Sequence, residues 1–333
     1  MQGTTVMPIE LSVIAPLYNE EEGIAENTRK LLRVLKECGR TWELILVNDG
    51  STDGSLGLLK PLAVAEEHLN LITYPVNRGR GYALRQGFAA ARGRFIVTTE
   101  SDLSWGEGII EKLYRALKET GLDVVIASPY KDGGRLENIP FKRAFLSRFG
   151  NKLLSASVSG DLTMLSGMTR GYRREVIQAL DLESDRKEIH LEIAAKCLAL
   201  GYRVGEIPAV LRWEPAVPGK RGRQSKFHSR RLIFSHLAFS FYQKPMLIFG
   251  AVGLLMVLGG IALGVMFFVQ FLMRTLYPAR PIYLLMVILL VAGIQMLSFG
   301  FLANQMGSLK RDIYRLQRLA KSSGAGAAAD VDD

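Results

Sequence analysis

The sequence predicts an α/β protein: a mostly parallel sheet, followed by an interfacial helix and a two-helix transmembrane hairpin. Three observations carry this. Short β-branched runs alternate with helix-period segments between Leu11 and Ala127, the pattern of parallel strands with crossover helices. The polar, Gly- and Asp-rich loops follow the strands, so parallel pairing places them on one rim, where such sheets bind ligands. Two stretches, 245–273 and 281–305, each hold more than 20 residues without a charge, enough to cross a hydrocarbon core of about 30 Å. The implied division is an α/β domain over 1–225, an amphipathic helix over 226–244, the hairpin over 245–305, and a basic amphipathic helix with a disordered tail over 306–333.

Leu11–Pro16 reads as the first strand and Leu17–Glu22 as the turn after it. Asn19 is placed to N-cap the next helix, with acidic residues in its first turn. Ile24–Cys38 has helical apolar spacing. Trp42–Val47 is a second strand, closed by Asn48-Asp-Gly-Ser-Thr-Asp-Gly54, a turn and helix start together. Leu71–Tyr74 is a short third strand. Asn77-Arg-Gly-Arg-Gly81 opens a helix to about Ala91 but lacks the third glycine of a dinucleotide fingerprint. Arg94–Thr98 is the fourth strand and Asp123–Ala127 the fifth. From Ser128 to Arg148 the chain is broken by Pro129, Gly133, Gly134 and Pro140, and Arg135, Arg143 and Arg148 accumulate. A helix resumes near Lys142. Asp161–Arg170 is rich in turns, a helix follows from about Arg173 to Ala179, His190–Leu200 is helical, and Tyr202–Ile207 is strand-like. Phe227–Lys244 mixes Arg230, Arg231 and His236 with apolar residues at helical spacing, as interfacial helices do.

The fourth strand ends in two carboxylates, Glu100 and Asp102. Residues i and i+2 of an extended segment point the same way, so the pair converges just past the strand's C-terminal end. Paired carboxylates there suit a divalent ion that takes its other ligands from substrate phosphates. The plainer alternative is a solvated acidic loop.

The net charge is +10 and 48% of residues are hydrophobic. No aromatic-studded basic motif of a nucleic-acid module is present, so lipid and phosphate are the expected anionic partners. Cys38 and Cys197 are far apart, which argues against a disulfide framework. His68, His190, His228 and His236 show no metal-ligand spacing. Residues 1–10 lack the basic and apolar regions of a signal peptide. There is no Gly-x-x-x-x-Gly-Lys-Ser/Thr loop, which argues against an ATPase. Lys220, Arg221, Arg223, Lys226, Arg230 and Arg231 precede the hairpin, and Lys310, Arg311, Arg315 and Arg318 follow it, against Arg274 and Arg280 in its loop. The positive-inside rule therefore places both termini in the cytoplasm and the chain in the cell (inner) membrane.

Val13-Ile-Ala-Pro-Leu-Tyr-Asn-Glu-Glu21, Val47-Asn-Asp-Gly-Ser-Thr-Asp-Gly-Ser55, Asn77-Arg-Gly-Arg-Gly81 and the carboxylate pair together resemble a family 2 glycosyltransferase of the Rossmann-like GT-A fold. Gly133-Gly134, the Arg143–Arg148 segment, Ser166–Arg174 and Gly222–Lys226 narrow the resemblance to polyprenyl-phosphate glycosyltransferases, the dolichol-phosphate mannose synthase-like group. The two-span hairpin is similar to its GtrB-type branch. The resemblance implies transfer of one sugar, with inversion, from a UDP- or GDP-sugar to undecaprenyl or dolichyl phosphate. It implies that Pro16, Tyr18, Glu20, Asp49, Arg78 and Ser101 bind the nucleotide-sugar, and that Glu100 and Asp102 hold Mg²⁺ or Mn²⁺. Arg143 and Arg148 are implied for the acceptor phosphate, with Asp161 and Arg170 beside the reacting groups. Arg221, Arg223 and Lys226 stand at the membrane edge, where phosphates or headgroups suit them equally. A homotetramer is also implied. The sequence departs from the family at three places: Glu100 stands where the first Asp of the pair is usual, Ser104 where Gln is frequent, and Ser128-Pro-Tyr130 where Ser-Arg-Tyr is common. Two alternatives stay open. One is a processive polysaccharide synthase, for which Arg212-Trp213 is present but the expected Gln is Ala209. The other is a non-catalytic membrane scaffold.

Overall fold

Unbroken apolar runs dictate strands buried on both faces, and Leu11–Leu17 (β1) is buried at every position. The computed structural model describes residues 8–140, 144, 145, 147, 148, 150, 151, 162–212, 245–273 and 281–329. It divides into two units, Met1–Phe227 and His228–Asp333. In the first, β1 is followed by α1 (Ile24–Glu37), the fully buried β2 (Trp42–Asp49), α2 (Ser55–Ala65), β3 (Leu69–Tyr74), α3 (Arg80–Ala90) and β4 (Phe95–Thr98). Then come α4 (Ile109–Glu119), β5 (Val124–Ser128), β6 (Arg135–Glu137), β7 (Arg170–Arg173), α5 (Arg174–Ala179), α6 (Ile189–Ala199), β8 (Val204–Pro208) and β9 (Val210–Arg212).

The main sheet has seven strands in the order β3-β2-β1-β4-β7-β5-β8, and β6 pairs with β9 in a second sheet of two. β1 runs parallel to β2 and β4, β2 to β3, and β5 to β8. The turns after β1, β2 and β4 therefore share one rim, as the sequence predicts. β7 is antiparallel to both β4 and β5, with Arg170 opposite Thr98. An antiparallel strand brings the loop before it to that rim, so residues 162–169 join the site. No alternation in Arg-Gly-Tyr-Arg announces this strand.

One local expectation is corrected. Asn19 does not cap α1: Gly23 holds the N-cap position with no side-chain cap, and the Asn19 side chain is spent on Thr52 instead. The amide oxygen reaches a backbone donor across the rim, which leaves the first turn of α1 to Glu26.

The second unit is a pair of packed helices, α7 (Pro245–Leu272) and α8 (Ile282–Ala329). Phe249–Leu272 and Ile282–Leu309 are long and apolar enough to cross a membrane, and only 17% and 6% of their most apolar windows are buried. A core helix of a soluble protein shows the reverse. Glycines let the backbones meet: a Cβ on Gly253 would lie 2.8 Å from the Gly293 carbonyl oxygen, the small-residue contact typical of membrane helices. α8 runs without a break to Ala329, where the sequence reading places a separate amphipathic helix and a disordered tail.

Candidate active site

The turns after β1 and β2 are sewn together by polar side chains. Asn19, at φ 54°, receives the Ser51 hydroxyl as acceptor for its N–H at 3.0 Å and accepts the Thr52 N–H at 2.8 Å. The Glu20 N–H donates to Ser55 Oγ at 2.9 Å, and Glu21 accepts the Gly54 N–H at 3.0 Å. Pro16 is buried in β1 opposite Val47, while Tyr18 stands 44% exposed at the rim.

Asp49 lies at the end of β2, almost fully buried. Its carboxylate accepts the Tyr74 hydroxyl at 2.9 Å, Asn77 Nδ2 at 3.0 Å, the Arg78 N–H at 2.8 Å and the Gly79 N–H at 3.0 Å. The last three of these bonds fold residues 77–79 against the strand. Burial and the neighbouring Asp49 carboxylate push the Tyr74 phenol above its ordinary range. Arg78 is exposed, with its guanidinium 4.0 Å from the centre of the Tyr82 ring. The glycines here admit a neighbouring backbone segment. A Cβ on Gly81 would lie 2.3 Å from the Ser184 carbonyl oxygen, and the Gly81 and Tyr82 N–H groups at the start of α3 donate to the Asp185 carbonyl at 2.8 and 3.1 Å.

The acidic stretch closes on itself through Ser104. Leu103, at φ 55°, turns the chain back and its N–H donates to the Glu100 carbonyl at 3.3 Å. Ser104 Oγ donates to Glu100 Oε2 at 2.6 Å, and the Ser104 N–H donates to Asp102 Oδ1 at 3.1 Å. One residue thus touches both carboxylates, and it does so from a turn rather than from an extended segment. Ser101 is buried, and its carbonyl accepts Asn27 Nδ2 from α1 at 3.1 Å. The Arg212 N–H of β9 donates to the Ser104 carbonyl at 2.8 Å. Among the described residues no cluster of three or more His, Cys, Asp or Glu could hold a metal. Two hard carboxylate oxygens fit Mg²⁺ or Mn²⁺ when substrate phosphates and water complete the shell.

Arg170 departs from the catalytic placement its motif implies. It is fully buried, and its guanidinium donates to the carbonyls of Gly167 and His190 at 2.8 Å each and to that of Leu165. It braces the rim loop rather than opening onto it. His190 is also fully buried, and neither ring nitrogen has a partner among the described residues. Burial, and then the charge of Arg170, hold its imidazole well below the usual range. Arg148 is exposed. Arg143, Asp161, Arg221, Arg223 and Lys226 lie outside the described residues.

Three residues that sequence reasoning passed over shape the rim, Asn27, Asn151 and Glu206, together with Ser104, which it noted only as standing where Gln is frequent. Glu206, 7% exposed on β8, accepts the Thr163 and Met164 N–H groups at 2.8 and 2.7 Å and the Thr163 hydroxyl at 2.7 Å. Asn151 accepts the Leu165 and Ser166 N–H groups at 2.9 and 3.1 Å. A carboxylate inside the otherwise apolar Val-Gly-Glu-Ile strand was the available signal, since a buried charge demands partners.

The chain resembles known proteins in sequence and in fold. Residues 12–181 match the family described as "Glycosyl transferase family 2". The chain is 27% identical over 322 residues to a dodecaprenyl-phosphate galacturonate synthase of Rhizobium johnstonii, covering 93% of this chain and 90% of that one. It is 27% identical over 311 residues to an undecaprenyl-phosphate 4-deoxy-4-formamido-L-arabinose transferase of Proteus mirabilis, covering 91% and 90%. Among solved structures it is similar in fold to glucosyl-3-phosphoglycerate synthase of Mycobacterium tuberculosis in complex with Mn²⁺, UDP and phosphoglyceric acid. That match has a TM-score of 0.53 and 18% identity, and covers 70% of this chain and 78% of that one. The family match takes in β1, β2, β4 and the loops that follow them, and with them the acidic pair, so this chain belongs to glycosyl transferase family 2.

Proposed function

We propose that the protein transfers one sugar, with inversion, from a nucleotide-sugar to a polyprenyl phosphate at the cytoplasmic face of the inner membrane. The observation that carries this is the extent of the likeness. Two relatives named for sugar transfer to a prenyl phosphate match over nine-tenths of this chain, so the match reaches beyond the α/β domain into the apolar helices. The basic residues flanking the hairpin support the cytoplasmic orientation.

The acceptor explains the shape of the chemistry. A phosphate monoester has its second pKa at about 6, so the prenyl phosphate is already a nucleophile at neutral pH. One of its oxygens forms a bond to the anomeric carbon while the bond from that carbon to the donor's diphosphate breaks. The electron pair leaves with the nucleoside diphosphate. No strong general base is needed, and the work lies in holding two anionic groups in line. Tyr18, Glu20, Arg78 and the Asp49-braced turn receive the nucleotide. Glu100 and Asp102 hold the divalent ion, which when bound neutralises charge building on the leaving diphosphate. Arg143 and Arg148 bind the acceptor phosphate, Asp161 orients a sugar or the acceptor, and Arg221, Arg223 and Lys226 face phosphates at the membrane edge. Arg170 acts at one remove, by fixing the loop before β7.

The test is direct. The full chain is incubated with Mn²⁺, radiolabelled UDP- and GDP-sugars and undecaprenyl phosphate, and the lipid phase is analysed. A labelled lipid bearing one sugar is expected. A long polymer would make the protein a processive synthase, and no product with any donor, alongside retained lipid binding, would make it a scaffold.

A further inference from the structure

We propose that Ser104 is the positioning residue of the acidic pair, and that its hydroxyl is what allows a glutamate to serve at position 100. This rests on the reading of Glu100 and Asp102 as the divalent-ion site. Glutamate has one more rotatable bond than aspartate, so its carboxylate sweeps a larger volume and loses more freedom when an ion fixes it. The Ser104 hydroxyl removes that freedom beforehand. It donates to Glu100 Oε2 at 2.6 Å, within the range of strong charge-assisted O–H···O⁻ bonds. The bond engages Oε2, and Oε1 is the oxygen proposed to meet the ion.

The same residue sets the second carboxylate. Its N–H donates to Asp102 Oδ1 at 3.1 Å. The left-handed turn at Leu103 brings residues 100 and 104 together. The carbonyl of Ser104 is itself held by the Arg212 N–H of β9 at 2.8 Å, so the clamp does not drift with the loop. A residue four places beyond a glutamate with a short side chain reaches the longer carboxylate without crowding it. Glu100 and Ser104 are thus one hydrogen-bonded unit.

The experiment measures Mn²⁺ binding to the full chain by the electron paramagnetic resonance signal of free Mn²⁺, alone and with UDP or GDP. Ser104→Ala keeps both backbone bonds and removes only the hydroxyl. It is expected to weaken Mn²⁺ binding about 10-fold, the lower end of what such supporting contacts give, with an unchanged thermal midpoint. Ser104→Thr, which restores a hydroxyl, is expected to return binding to within about twofold. In a cycle with Glu100→Gln, the serine substitution should add little once the carboxylate is gone. Wild-type Mn²⁺ binding in Ser104→Ala, while Asp102→Ala loses it, would overturn the role of Ser104 alone. Mn²⁺ binding that survives Asp102→Ala would overturn the metal-site reading and this proposal with it.

Discussion

Arg170 carries a permanent charge to a place with no exposed surface and meets three backbone carbonyls there. Arg170→Met leaves those carbonyls unpaired and should cost about 3–5 kcal/mol, as losing one member of a buried polar network does. Lysine should not rescue it, since a single ammonium cannot reproduce a planar fork of donors. Thermal unfolding in detergent checks this, and a variant of unchanged stability that has lost transfer would place Arg170 on the substrate. His190 makes a second prediction. Its imidazole titrates well below 6.5 in the folded chain and near 6.5 when unfolded, so between the two values the unfolded chain binds more protons. The stability His190 contributes is fully present above pH 6.5 and erodes below it, by up to about 1.4 kcal/mol per pH unit. His190→Leu should flatten the fall in thermal midpoint between pH 6.5 and 5. At the rim, Asp102→Ala should lower transfer at least about 100-fold while the protein still fractionates with membranes; near-normal turnover would remove Asp102 from the site. Glu100 and Asp102 were readable because carboxylates at the end of a β-branched run are conspicuous. Ser104 stood out only as a departure from the resembled pattern; its reach to both carboxylates was not readable, because it depends on a left-handed turn at a leucine, a region non-glycine residues enter too seldom for sequence to announce it.

Among the elements, β7 was the one that periodicity could not find. Its four residues, Arg-Gly-Tyr-Arg, are ordered by the strands on either side, not by any pattern of their own. The parallel strands β1, β2 and β4 were legible because both of their faces are buried and they are rich in apolar residues, whereas β3 is only partly buried. The glycines that open α3 lack a dinucleotide fingerprint, and their role is close packing: the Ser184–Arg186 backbone lies against Gly81. Gly81→Ala must push that segment away, and a cost of about 1–3 kcal/mol is expected, as for other overpacked sites. Differential scanning calorimetry of the variant reads it directly, and an unchanged midpoint would mean that the 184–186 segment yields freely.

For the whole molecule, hydropathy alone located the two apolar helices, because about 20 uncharged residues in a row have few other uses. The extent of α8 was harder to see. Its Ala- and Gly-rich end reads as a tail, whereas the helix continues to Ala329. Alkaline carbonate should leave the protein in the membrane pellet, and its release into the supernatant would refute a spanning hairpin. The place of β7 in the sheet has a further consequence, for the order in which the chain is made. β4 lies between β1 and β7, and β5 between β7 and β8. The ribosome therefore delivers the strands of the nucleotide half first and leaves the outer edge of β4 open. At about 5–20 residues per second the closing strand follows some 4–15 s later, and until then the nascent protein displays an unpaired edge of the kind that recruits other chains. A fragment released near residue 160 should sediment as aggregate, with the rim loops after β1, β2 and β4 already made but without the 162–169 loop.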